Sequence, residues 1–177
     1  MFVEKSALIE EGVSVGKDTK IWHHAQVRGG ATIGSNCVIG KGVFIDVGVV
    51  VGDRVKIQNY ACLYQGVTVE DEVFIGPGVV FTNDLRPRAT ADQWKVVPTL
   101  VKRGASIGAN ATVVCGNEIG EWSMVGAGSV LTRSTRPNEL VVGNPARTLG
   151  WVCTCGELLE ENPIRHKSMR IMCKHHP

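Results

Sequence analysis

The sequence predicts an all-β chain wound as a parallel β-helix. Three observations carry this prediction. Counting in sixes from Ile9 passes Val15, Ile21, Val27, Ile33, Ile39, Ile45, Val51, Ile57, Leu63, Val69, Ile75 and Phe81, an unbroken apolar series. Two places before each stands a small or short residue, from Ala7 and Val13 to Val73 and Val79. The place after is often glycine, as at Gly16, Gly34, Gly40, Gly52 and Gly76. A period of six fits neither the helical repeat nor unbroken alternation. It fits a short strand and a tight turn, repeated, as in hexapeptide β-helices. Positions i−2 and i of a strand share a side, so both face one interior. The glycines are expected to supply turn conformations that a Cβ would strain.

This pattern resembles that of the hexapeptide-repeat acyltransferases. The resemblance implies a left-handed triangular prism with three hexapeptides per coil. The period alone does not set the hand, since parallel crossovers are otherwise nearly always right-handed. On that geometry, residues 18 apart stack about 4.8 Å from one another. The faces become the columns 9/27/45/63/81, 15/33/51/69 and 21/39/57/75. Gly29, Val47, Gln65 and Asn83 then share one edge, beside Asp46, Tyr64 and Thr82.

Residues 1–8 lead into the first coil, and 1–152 are expected to form the β-helix domain. The count breaks after Phe81 and resumes at Val101, followed by Ile107, Val113, Ile119, Val125 and Leu131. The intervening text, TNDLRPRATADQWKVVP, is polar, contains two prolines and has no period. It reads as a loop over about 82–99 thrown out from one prism edge. Loops on rigid scaffolds commonly carry function; a tolerated insertion is the plainer alternative. After Leu131 the run TRSTRPNELVVGNPARTLGWV reads as an irregular closing stretch. Residues 153–177 read as a capping tail with a short helix around 156–162, because terminal repeats otherwise expose core.

The length of 177 residues suits one domain. A net charge of +2 gives no case for general nucleic-acid binding. No apolar run approaches the roughly 20 residues of a membrane span. The start, MFVEKSALIE, lacks the layout of a signal peptide, so a cytoplasmic protein is expected. Cys37, Cys62 and Cys115 sit singly inside repeats, where buried thiols act as small hydrophobes. The tail carries Cys153-x-Cys155-Gly and, later, Cys173-Lys-His175-His176. Three thiols and an imidazole are zinc ligands by type, but Cys-x-Cys leaves little room for both sulfurs to turn onto one ion. Capping with free thiols is the expectation, and no metal is assigned.

The runs IWHHAQVRGGATIG, KIQNYACLYQGVTVEDEVFIGPGVVFTND, PTLVKRGASIGANATVVCG and VVGNPARTLGW narrow the resemblance. Over about residues 8–152 they resemble the nucleotide-amino-sugar 3-N-acetyltransferases. That resemblance implies transfer of acetyl from acetyl-CoA to the C3 amine of a UDP- or dTDP-linked amino sugar, for surface polysaccharide synthesis. It also implies a homotrimer with sites shared between neighbouring chains.

The histidines are His23, His24, His166, His175 and His176. None lies where the acceptor end is expected, so the site should run without a histidine base. This is chemically sound: a neutral sugar amine is a good nucleophile, and positioning alone lowers a barrier by several kcal/mol. Asn83 is the first candidate for aiming the amine, and the resemblance places the matching Asn near it. Asp84 is a second candidate, as a carboxylate base. For Asn83 the plainer role is a turn residue. Around them, Gln58, Asn59, Tyr64 and Gln65 are expected to offer neutral donors and acceptors on the same surface, as suits a sugar. Relatives of this motif tend to read Tyr-Glu-Gly where this chain reads Tyr64-Gln65-Gly66. Arg28, Arg86 and Arg88 are candidates for the diphosphate. For CoA, the resemblance points to the later coils. There the backbone of Gly104, Ala105, Ala109 and Ala127 could line a pantetheine groove, and Lys102, Arg133 and Arg147 could meet phosphates. Three readings compete: a 4-amino-sugar or small-amine acetyltransferase, a non-catalytic prism, and a zinc carbonic anhydrase, the last opposed by the lack of histidines in the coils.

Overall fold

The computed structural model describes residues 1–91, 94–159 and 173. Among them every regular element is a strand. Strands of mostly two residues stack into three parallel sheets: sheet A from Phe2–Val3 to Glu139–Val142, sheet B from Leu8–Ile9 to Val130–Leu131, and sheet C from Ser14–Val15 to Glu118–Ile119. Each turn gives one strand to each sheet. The stacking interval of 18 residues holds: Lys20–Ile21 pairs with Val38–Ile39, and Gln26–Val27 with Phe44–Ile45. The chain is a β-solenoid, as the period of six predicts.

Both inward places of each hexad fill its interior. Ile21, Ile39, Ile57, Ile75 and Ile107 form a fully buried column under sheet A, and Val27, Ile45, Leu63, Phe81 and Val113 one under sheet B. Each such side chain contributes about 1.5–3 kcal/mol through removal from water. The smaller places i−2 (Ala25, Ala31, Val43, Val49, Ala61) are buried beside them. Thr19 is one of the polar residues at these places, with Thr99, Ser123 and Ser129. The Thr19 hydroxyl donates to the Gly34 carbonyl at 2.7 Å and accepts the Cys37 N–H at 3.0 Å, so that hydroxyl is not left unpaired.

The glycines after each apolar residue serve a different purpose from the one expected. None of Gly16, Gly34, Gly40, Gly52 and Gly76 has a positive φ. A Cβ on Gly34 would lie 2.5 Å from the Gly52 backbone, and one on Gly76 would lie 2.7 Å from the Ala109 nitrogen. These positions need glycine because successive coils approach closely there. The left-handed conformation falls two places later, as at Asp18 (φ 59°), Asn36 (φ 58°) and Gly48 (φ 67°). Gly34→Ala should therefore lower stability by about 1–3 kcal/mol through overpacking. Gly48→Ala, with open space around its Cβ, should cost only about 1 kcal/mol of backbone strain. Thermal midpoints of the two variants check the ordering; equal losses would count against close approach as the cause.

Sheet C absorbs the slip in the count. Val67–Val69 pairs with Thr99–Val101, so the chain leaves the prism after Phe81 and rejoins it at Thr99. The loop closes at its root, where the Val97 N–H donates to the Asn83 carbonyl at 3.0 Å.

The closing stretch is regular, contrary to the sequence reading. Glu139–Val142 adds to sheet A parallel to Met124–Val125. The chain then reverses into Arg147–Val152, antiparallel to Glu139–Val142 with a bulge, and Leu158–Leu159 adds antiparallel to Trp151–Val152. The helix expected around 156–162 is thereby corrected. The first part of that stretch is a turn and a strand, held by pairing to Trp151–Val152, and 160–162 lie outside the described residues.

Candidate active site

The candidate site residues divide among the three edges of the prism. The B–C edge carries Glu10, Arg28, Asp46, Tyr64 and the loop root in consecutive coils. Arg28 stands between two carboxylates, its Nε 3.4 Å from Glu10 Oε1 and its Nη1 3.2 Å from Asp46 Oδ1. The Gly29 N–H, and after it Arg28, hold the Glu10 carboxyl below its usual value. Asp46 also accepts the N–H groups of Val47 (2.8 Å) and Gln65 (3.2 Å). Tyr64 stacks obliquely on Phe44, with centroids 5.6 Å apart. The polar ladder is thus built by stacking, and it leads to Asn83.

Asn83 is half-buried at the loop root. Its main-chain carbonyl is used by Val97, while its side-chain amide makes no hydrogen bond to the described residues. Asp84 is different. Its Oδ1 accepts the Arg86 N–H at 2.7 Å, a local bond that shapes the loop. Arg86 and Arg88 are exposed on the loop, and Arg88 Nη1 donates to the neighbouring Pro87 carbonyl. Of the substrate-binding candidates, Arg28, Tyr64, Gln65, Arg86 and Arg88 therefore belong to the edge and loop that carry Asn83.

Gln58 and Asn59 do not. They lie at the A–B edge, across sheet B from Tyr64 and Gln65, which corrects their placement on one surface. There they line a depression of about 260 Å³ with Trp22, His23, Val38, Gly40 and Lys41. The Trp22 and His23 rings lie nearly parallel, 14° apart with centroids at 6.3 Å. Trp22, His23 and Lys41 were not singled out from sequence. The stacking interval would have found them, because Trp22, Gly40 and Gln58 form one column and Gly40 leaves a gap between two larger side chains.

The residues considered for CoA fall into separate groups. Ala109 and Ala127 stack at the A–B edge, with the Gly128 N–H donating to the Ala109 carbonyl at 2.8 Å. With Gly108 and Gly126 beside them, they form a strip of small residues along that edge. Lys102, Gly104 and Ala105 lie at the C–A edge instead. Lys102 is paired with Glu118 at 2.9 Å, Gly104 lies against the Trp122 indole, and the Ala105 side chain is in the core. Arg133 pairs with the buried Glu139 at 2.8 Å, while Arg147 is exposed and donates to the Ala146 carbonyl. One groove along one edge cannot include all seven. The strip at Ala109 and Ala127 suits a narrow pantetheine arm, whereas Lys102 and Arg133 are already occupied.

No helix among the described residues is long and apolar enough to cross a membrane.

Comparison with known proteins agrees with this architecture. The family of bacterial transferase hexapeptide (six repeats) matches residues 12–46 and 48–83, and the hexapeptide repeat of succinyl-transferase matches 103–133. Together they span more than half of the chain. The dTDP-3-amino-3,6-dideoxy-alpha-D-galactopyranose 3-N-acetyltransferase of Aneurinibacillus thermoaerophilus is 58% identical over 62 residues, 35% of this chain and 32% of that protein. The match thus spans about a third of each. Among solved structures, PerB from Caulobacter crescentus, in complex with CoA and GDP-perosamine, aligns at a TM-score of 0.54 and 21% identity, covering 84% of this chain and 56% of that one. A mutant of AntD, an N-acyltransferase from Bacillus cereus, in complex with dTDP-4-amino-4,6-dideoxyglucose and Coenzyme A, aligns at 0.53 and 21%, covering 85% and 82%. At such identities the likeness is one of fold. Stacked hexads, three parallel sheets and matches across most of the coils lead to one statement: the chain belongs to the hexapeptide-repeat transferases.

Proposed function

We propose that this protein is an acetyl-CoA-dependent N-acetyltransferase acting on the 3-amino group of a UDP- or dTDP-linked amino sugar. The observation that carries the reading is the 58% identity over 62 residues to a dTDP-3-amino-sugar 3-N-acetyltransferase. The B–C edge supports it, with a side-chain amide at Asn83 that is unpaired among the described residues, beside a ladder of sugar-compatible polar groups. In this reading the neutral amine attacks the acetyl carbonyl carbon, the carbon–sulfur bond breaks, and the departing thiolate takes up the amine's proton. The Asn83 side-chain carbonyl accepts an amine N–H and aims the lone pair. The Asp84 carboxylate, engaged by the Arg86 N–H, shapes the loop rather than accepting the proton. Arg86 and Arg88 face the diphosphate, Arg28 being already paired with Glu10 and Asp46, and the small residues at Ala109 and Ala127 admit the pantetheine arm.

The test is free-thiol release from acetyl-CoA against UDP- and dTDP-linked 3-amino hexoses and hexuronates, with 4-amino sugars as controls. Turnover confined to the 4-amino sugars, or no thiol release from any acceptor, would overturn the reading.

The same reading includes a cytoplasmic homotrimer serving surface polysaccharide synthesis, with the site shared between chains. Its support is the outer surface of sheet B, where Phe44, Cys62 and Val80 follow one another in consecutive coils, with Leu8 and Val130 beyond Gln26 and Thr112 on either side. Such a row favours a protein partner over water. Light scattering at micromolar concentration should give three times the mass of one chain. A monomeric mass would refute the assembly and the shared site.

A further inference from the structure

We propose that Cys153, Cys155 and Cys173 form a structural zinc site that ties the C-terminal tail to the last turn of the prism. The three sulfurs lie within 4.8 Å of one another, although Cys173 follows Cys155 by 18 residues. The other three cysteines, Cys37, Cys62 and Cys115, are spread singly through the coils. A tetrahedral zinc with Zn–S bonds near 2.3 Å sets its sulfurs roughly 3.8 Å apart. The Cys155 and Cys173 sulfurs, at 3.1 Å, need to separate by less than an ångström to reach that spacing.

The turn that holds the first two cysteines fits the role. Cys153 is buried against the prism, and its N–H donates to the Glu157 carbonyl at 2.9 Å. The Gly156 N–H returns to the Cys153 carbonyl at 2.9 Å, and Gly156 takes φ +90°. This tight turn overcomes the shortness of Cys-x-Cys and brings both sulfurs to one side. The Cys155 N–H points at the Cys153 sulfur at 3.3 Å, a bond that stabilises a metal-bound thiolate.

The turn is anchored to the coils. The Asn138 side chain donates to the Val152 carbonyl at 2.9 Å, and the Val152 N–H donates to the Asn138 carbonyl at 2.8 Å. A metal here therefore fastens whatever follows Cys173 to the end of the solenoid. The three sulfurs stand at the turn between Arg147–Val152 and Leu158–Leu159, whereas Asn83 stands at the loop root after Val80–Phe81. The zinc is accordingly structural and takes no part in acetyl transfer.

Metal analysis of the full chain, purified without added metal or chelator, should find about one zinc per chain. Cys155→Ser and Cys173→Ser should each reduce this to under about 0.2, while Cys62→Ser keeps it. Should the tail variants aggregate, titrating the wild-type thiols with an organomercurial beside a zinc-sensitive dye gives a second readout, with zinc released as the thiols react. Removal of the metal by a strong chelator should increase proteolysis after Val152 and leave thiol release from acetyl-CoA within about twofold. Zinc below about 0.2 per chain in the wild type, iron in its place, or a Cys155–Cys173 disulfide without metal would overturn the site. Loss of turnover on chelation would overturn its structural role.

Discussion

Glu139→Ala should destabilise the protein by about 2–3 kcal/mol, a loss on the scale of breaking a buried, hydrogen-bonded ion pair. For a chain of this length that corresponds to a fall of roughly 5–10 °C in Tm. Glu139 is fully buried where the last coil closes. Its carboxylate accepts Arg133 Nη2 and the Arg136 N–H, each at 2.8 Å, and the Thr148 hydroxyl. It thereby fastens the segment after Leu131 to the reversing strand Arg147–Val152. Burial alone would raise its pKa, but Arg133, the Arg136 N–H and Thr148 together outweigh burial and lower it to about 2. The folded value therefore lies below the unfolded one, near 4.5. The charged form contributes stability above pH 4.5, and that contribution is lost as pH falls from there towards 2. Tm measured from pH 7 downwards for the wild type and Glu139→Gln checks this. The gap between them should narrow below about pH 4.5; a constant gap would show that the charge is not what holds the closure.

The stacking of the coils was legible because a repeat of three hexads reduces three-dimensional neighbours to a difference of 18 in residue number. Lys20 beside Val38 and Cys62 beside Val80 follow from that rule. The closing hairpin was not legible. Val125 pairs with Val141, an interval of 16, across a stretch containing Pro137 and no hexad. Only the alternative of an unpaired sheet end, with exposed strand hydrogen bonds, explains why the chain folds back there. The role of the glycines was misread for a similar reason. A single coil suggests turn strain, whereas close approach appears only once a second coil is stacked on it.

The site was legible in part. The same interval puts Arg28, Asp46 and Tyr64 in one column and Gln65 and Asn83 at the same edge, as the structure does. Applied to Gln58, it leads to Gly40 and Trp22 and so to the A–B edge, away from Tyr64. After the loop the interval of 18 resumes and sets Leu100, not Lys102, beside Glu118, so the Lys102–Glu118 pair joins neighbouring columns; Arg133 and Glu139 pair within the closing stretch, outside the hexads. Three cysteines meeting at 153, 155 and 173 could be listed from sequence as ligands, but their convergence required the turn at Gly156.

Asn83→Ala should lower kcat/KM by roughly 10- to 100-fold, the scale of one or two positioning hydrogen bonds. The side chain sits half-buried at the loop root, where Val97 fixes its main-chain carbonyl at 3.0 Å and leaves the amide unpaired among the described residues. An amide in that position can orient an amine but cannot accept its proton. The loss should therefore appear with little change in the shape of the pH–rate profile, which the substrate ammonium governs. Asp84→Asn gives the contrast: an amide oxygen still accepts the Arg86 N–H that shapes the loop, so a positioning role predicts near-wild-type rates, whereas a carboxylate base predicts the larger loss. Because the Asn83 side chain holds no hydrogen bond among the described residues, the alanine variant should keep the wild-type circular-dichroism spectrum and Tm. A folded Asn83→Ala enzyme with wild-type kcat/KM on the preferred nucleotide sugar would remove Asn83 from the mechanism.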